Sequence, residues 1–111
     1  MIEFYRGDTY SFKFQRTQNG EVISELPNKL YFTVKEKNCS SNVAFQKKLD
    51  DGIIKSEDNY YHVTINPEDT DSLSYLEYVW DIEVITDTYK KTLASGILKL
   101  RKEVTLPENE V

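Results

Sequence analysis

Between Tyr78 and Arg101 the chain reads YVWDIEVITDTYKKTLASGILKLR, and its apolar residues recur at every second position. Tyr78, Trp80, Ile82 and Val84 fall on one parity, with Val79, Asp81, Glu83 and Ile85 on the other. A period of two sends one set of side chains to a core and the other to solvent, which a strand does and a helix does not. Thr86 to Tyr89 is turn-compatible, and in the run that follows Thr92, Ala94, Gly96, Leu98 and Leu100 share a parity. Two such runs joined by a few residues predict a β-hairpin.

The rest of the chain repeats this grammar. Ile2 and Phe4 open a short strand, Arg6-Gly7-Asp8 breaks it, and Tyr10, Phe12 and Phe14 alternate with Ser11, Lys13 and Gln15. Asn19-Gly20 is the residue pair favoured in tight hairpin turns, with Glu21 to Ile23 as the return strand. Leu30, Phe32 and Val34 form the next inward set, and 37–42 is a polar loop. Val43, Phe45 and Leu49 are the inward set expected of a strand over 43–49. Asp50-Asp51-Gly52 turns into a short strand at Ile53-Ile54, and Tyr61, Val63 and Ile65 follow as another inward set. Asn66-Pro67-Glu68-Asp69 combines a cap, a proline for the first helical position and acids for the positive end of the helix dipole. It predicts one short helical stretch over about 67–75.

About eight or nine short strands at this spacing predict an all-β domain, a two-sheet sandwich or small barrel. Its core is expected to include Phe12, Phe32, Phe45, Val63, Trp80, Ile82, Leu98 and Leu100. A chain of 111 residues is expected to be one domain, over 1–105, with a polar tail over 106–111.

The formal net charge is −5, and the longest basic runs are only Lys47-Lys48 and Lys90-Lys91. Nucleic-acid binding needs clustered cations to neutralise phosphates, so that class is not expected. The single cysteine excludes a disulfide within the chain. The N-terminal stretch lacks the basic and apolar regions of an export signal, and no run approaches the ~20 apolar residues of a membrane helix. Synthesis in the cytoplasm, with no membrane partner, is the expectation.

Candidate chemistry is sparse. His62 is the only histidine and stands on a polar parity, with no second histidine for a triad or metal set. Cys39 sits in the polar loop without a neighbouring base. Glu68, Asp69 and Asp71, with Asp81 and Glu83 further on, could be offered to calcium, but the glycine and distal glutamate of a calcium loop are missing. Helix-start acids explain the cluster more simply. Arg6-Gly7-Asp8 spells an adhesion tripeptide, and Gly-Asp between two strands is ordinary turn chemistry. No phosphate loop or nucleophile elbow is present. No catalytic residue, cofactor or metal is expected.

Several segments carry a resemblance: RGDTYSFKF at the start, LYFTVKEK followed by AFQKKLDDGI, YYHVTINPEDTDSL before YVWDIEVIT, and KKTLASGILKL. In layout they resemble the N-terminal immunoglobulin-like module of phage baseplate upper proteins, from about Phe4 to Thr105. The resemblance implies an immunoglobulin-like two-sheet antiparallel sandwich in which Tyr78 is the corner tyrosine, bonding backbone across the turn before its strand. Glu77 stands where related stretches have glycine. The resemblance also implies a non-enzymatic phage or prophage structural accessory or adaptor protein of the tail, baseplate or neck. It would be a virion component that docks on other virion proteins and on copies of itself. Docking is expected at the strands beside the chain ends, through Glu3, Phe4, Tyr5, Lys99, Arg101 and Glu103. Two other readings stand beside it. One is a phage-encoded inhibitor of a host protein. The other is a carbohydrate-binding sandwich using Tyr5, Tyr31, Tyr60 and Tyr89.

Overall fold

The computed structural model describes residues 1–37, 42–74 and 76–103. Along them the elements are β1 (Ile2–Tyr5), β2 (Tyr10–Gln15), β3 (Thr17–Gln18), β4 (Glu21–Val22), β5 (Lys29–Glu36) and β6 (Val43–Leu49). Then come β7 (Gly52–Lys55), β8 (Tyr60–Ile65), a one-turn helix α1 (Pro67–Thr70), β9 (Glu77–Ile85) and β10 (Lys90–Arg101). The fold is all-β, as the alternation predicts.

Eight strands join in the order β1-β10-β9-β5-β6-β7-β8-β2, and β3 and β4 form a separate ribbon. β1 and β2 end that order yet are joined by the turn Arg6–Thr9, so the sheet curls until its two edges meet. The Phe4 and Tyr10 rings stack across this seam with centroids 4.9 Å apart. The curl encloses Ile2, Phe4, Leu30, Phe32, Val34, Ile53, Tyr61, Val63, Ile65, Tyr78, Ile82, Val84, Leu98 and Leu100.

The sheet is mixed, where antiparallel pairing throughout was expected. β1 runs parallel to β10 with Ile2 beside Leu98 and Phe4 beside Leu100. β6 and β7 are also parallel, over only Lys48–Gly52 and Leu49–Ile53. That pairing is a corner: Lys48 and Asp51 exchange both backbone hydrogen bonds at 2.9 Å, and Asp50 N–H donates to the Ile53 carbonyl at 2.7 Å. Asp50 (φ 65°) and Gly52 (φ 98°) take the left-handed conformations the corner needs. A Cβ at Gly52 would stand 2.5 Å from the Lys47 Cδ, so glycine there also makes room for that side chain.

Two bulges correct the parity expectations. In β10 the register shifts between Thr92 and Ala94, so Leu93 turns inward while Thr92 and Ala94 are exposed. In β6 a shift beside Ala44 leaves Val43 exposed, and the buried residue of its parity is Lys47. An extra residue in one strand of a pair reverses which side chains face in, and the residue alphabet does not announce it. Of the expected core, Phe32, Val63, Ile82, Leu98 and Leu100 are buried, and Phe12, Phe45 and Trp80 pack against it half-buried. Trp80 lies over Gly96, where a Cβ would come within 3.1 Å of the indole, and donates its ring N–H to the Ile97 carbonyl at 3.2 Å.

The Asn-Gly turn and the start of the helix are as predicted, and the end of the helix is not. Asn19 (φ 53°) and Gly20 (φ 82°) both take positive φ, as the two-residue hairpin turn demands. The helix starts at Pro67 but ends at Thr70, shorter than the stretch to about 75. Asp69 holds its start, accepting from the Asn66 backbone N–H at 2.7 Å and pairing with Lys47 Nζ at 2.6 Å.

Candidate docking edges

β1 and the far end of β10, predicted as two separate edges, lie side by side on one ladder. Glu3 is in register with Lys99 and Tyr5 with Arg101. Glu3 Oε2 pairs with Arg101 Nη1 at 3.3 Å, and the Arg101 guanidinium stands over the Tyr5 ring at 5.6 Å. These four side chains present one exposed polar strip. The other two residues expected at the edge are withdrawn from it. Phe4 is buried in the seam, and Glu103 pairs with Arg6 at 2.7 Å with only 17% of its side chain exposed.

Leu98 and Lys99 of β10 are not an edge, because they are paired with β1 on one side and with β9 on the other, and Leu100 and Arg101 are paired with β1. The outer side of β1 is one end of the strand order. β1 has only four residues and β10 has twelve. From Lys90 to Ile97, β10 pairs with β9 on one side, and among the described residues no strand is ladder-paired with its second side. Such a side carries N–H and C=O groups ready for another chain.

Beside the start of this stretch of β10 lies Arg16. Arg16 follows β2 on the parity of Tyr10, Phe12 and Phe14, and its side chain is buried. Nη1 donates to the Glu25 carbonyl at 2.8 Å and Nη2 to the Tyr89 hydroxyl at 3.1 Å. A cation on an inward parity was the available signal.

The remaining candidates are in ordinary surroundings. His62 is exposed, its Nε2 3.1 Å from the Ser56 hydroxyl. Asp58, beside it, accepts from the Ser56 hydroxyl and the Tyr60 N–H, and those bonds hold its carboxyl below the usual carboxylate range. Glu83 is 3.8 Å from Lys90 Nζ, and Asp81 lies half-buried in β9. Glu68 and Asp71 are exposed. Among the described residues no three His, Cys, Asp or Glu side chains gather as a metal ion would require. Cys39 lies outside the described residues. The Arg6-Gly7-Asp8 turn is tied into the fold: Arg6 also donates to the Leu73 carbonyl at 3.2 Å, and Gly7 N–H to the Thr70 hydroxyl at 2.8 Å. Of the four glycan-candidate tyrosines, Tyr5 and Tyr89 are exposed and Tyr31 and Tyr60 are half-buried. Tyr60 is covered by Lys13 Nζ, 4.3 Å from its ring centre. No helix among the described residues is long and apolar enough to cross a membrane.

Comparison with family models, curated proteins and solved structures finds no match for this chain.

Proposed function

We propose that this protein is a phage or prophage structural accessory domain that acts by docking on other virion proteins, without turnover. The observation that carries the reading is the ladder left open where four-residue β1 stops short of twelve-residue β10. An unpaired strand side recruits a partner strand directly. The resemblance of RGDTYSFKF and YVWDIEVIT to the phage baseplate module gives that docking a setting.

The fold proposed with it is an immunoglobulin-like sandwich. Only two register pairs, made by one local turn, link β6 to β7. Counting that corner as a crossing between layers leaves β1-β10-β9-β5-β6 in one layer and β7-β8-β2 in the other. Tyr78 supports the same reading, because its hydroxyl donates to the Ser74 carbonyl, four residues upstream, at 3.1 Å.

Tyr78→Phe is expected to cost about 1 kcal/mol in urea unfolding, the usual net value of one such bond. Burial raises the Tyr78 phenol above its ordinary value of 10.0. Its protonated form is thus favoured in the folded state, so the contribution is intact below about pH 10 and lost as pH rises through the folded value. The gap between wild type and Tyr78→Phe should therefore be constant to about pH 10 and narrow above it. A variant as stable as wild type at neutral pH contradicts the corner.

The functional test is mass spectrometry of purified particles from the induced prophage. The polypeptide is expected among the virion proteins. Its absence there, together with a stable complex with a host protein in the lysate, would replace this reading with that of an inhibitor.

A further inference from the structure

Three features converge at the end of the molecule formed by the β3–β4 ribbon and the start of β10. The first is Arg16, only 3% exposed. Its Nε is buried without an acceptor, and among the described residues no carboxylate lies within ion-pair distance of it. A guanidinium in that position has lost water and gained two neutral acceptors in exchange, so it is well suited to a carboxylate.

The second is a cleft of about 260 Å³ beside it, lined by Arg16, Thr17, Ile23, Lys90, Lys91 and Leu93 among others. It is lined by three cations and no carboxylate, on a chain whose net charge is −5. On the other side of Arg16 a neighbouring depression does include Glu25 and Asp87, but Asp87 is held by the Asn28 amide at 2.5 Å. The positive character therefore belongs to the β10 side. The third feature is the open side of Lys90–Ile97, at the same place.

We propose that this cleft receives an extended acidic segment of a partner polypeptide, laid as an added strand along the open side of β10. Its backbone would pair with Lys90–Ile97. An aspartate or glutamate would reach Arg16, with Lys90 and Lys91 at the mouth. Successive side chains of a strand point to opposite faces, so the preferred segment carries its acids at every second position, with residues that favour extended backbone, such as valine, between them. The register bulge at Thr92 and Ala94 bends the edge and sets where the added strand can seat. This deepens the docking reading by assigning it a site and a partner chemistry, and it does not require the partner to be a virion protein.

The test is an NMR titration of the full chain, labelled with nitrogen-15, with a blocked peptide alternating valine and aspartate. A valine–asparagine peptide and sodium acetate serve as comparison arms. The valine–aspartate peptide is expected to shift backbone amides within Lys90–Ile97 and the Arg16 Nε–H signal together, saturably. Arg16→Lys, which cannot form the planar fork, should weaken binding about tenfold. Lys91→Glu, on an exposed side chain, should weaken it as well while leaving the spectrum folded, and so keeps the test valid if Arg16→Lys unfolds. Several results overturn the proposal. Acetate moving Arg16 while the peptide leaves β10 unmoved means a free-carboxylate subsite only. Equal binding of the asparagine peptide removes the charge recognition. Shifts along Ile2–Tyr5 instead would place docking at the other edge, and the general docking reading would survive. Shifts at Lys90–Ile97 that grow with protein concentration alone would make a second copy the occupant. No shift with any probe also overturns it. Virion incorporation is independent of all these outcomes, so failure here and failure of the virion reading are distinguishable.

Discussion

Replacing Phe32 with alanine is expected to cost about 3–5 kcal/mol, the range for deleting a buried aromatic ring. Phe32 is fully buried in β5, in register with Ile82 on one side and Lys47 on the other. Its ring meets Phe12 edge-on at 5.3 Å, Trp80 at 5.9 Å and Phe45 at 6.3 Å. It therefore connects residues of β2, β6 and β9, and the hole left by truncation cannot be filled from one side. Domains of this kind hold only about 5–15 kcal/mol in all, so the loss should be plain as a lowered urea midpoint at unchanged slope. A loss below about 1 kcal/mol would show that these rings do not meet around Phe32 in solution.

The second large effect is expected at the Lys47–Asp69 pair. The two side chains are only 10% and 18% exposed and stand 2.6 Å apart. Asp69→Asn leaves the Lys47 ammonium buried without its partner and weakens the acceptor for the Asn66 N–H. The expected cost is about 3 kcal/mol, the low end for breaking a buried pair, because neither side chain is fully out of water. Lys47→Met keeps an unbranched chain against Gly52 while removing the charge. The double variant should be more stable than Asp69→Asn alone, because it carries no orphaned ammonium. If the two single losses simply add, the pair does not couple α1 to the β6–β7 corner. Protein unfolding by urea for the four species of this cycle decides it.

Much of the fold was legible in the sequence, for a physical reason. Each inward set on β2, β5, β8 and β9 obeys a period of two, and all four strands place that set against the core. Asn19-Gly20 and Asn66-Pro67 were legible because turn and helix-start chemistry is local. The failures share a different origin. The bulges at Leu93 and Ala44 are set by pairing with β9 and β5, and neither pairing is written in the residues that bulge. The parallel seating of β1 on β10 depends on strands nearly the whole chain apart. Its consequence, an open stretch from Lys90 to Ile97, shows only once strand lengths are compared across the sheet.

At the candidate site, Glu3, Tyr5, Lys99 and Arg101 stand exposed, whereas Phe4 is buried and Glu103 is paired with Arg6. Phe4 follows the inward parity of Ile2, and Glu103 found Arg6 through the curl of the sheet. Arg16 and Lys47 are the two buried cations that strand parity alone does not explain. Each is a cation standing on an apolar parity, and each is buried. One is answered by Asp69 and the other, among the described residues, by no carboxylate. A charge on an inward parity has to be compensated, and for Arg16 the groups that do so lie beside the cleft at β10.

Docking at β10 requires an edge that stays open in the free protein, and amide hydrogen exchange along β10 measures this directly. In dilute, unliganded protein, alternate amides from Lys90 to Ile97, those pointing away from β9, should exchange quickly. Those of Leu98 and Lys99, held between β1 and β9, should exchange far more slowly. Uniform slow exchange from Lys90 through Arg101 would mean the open side is already covered, and would contradict docking at this edge.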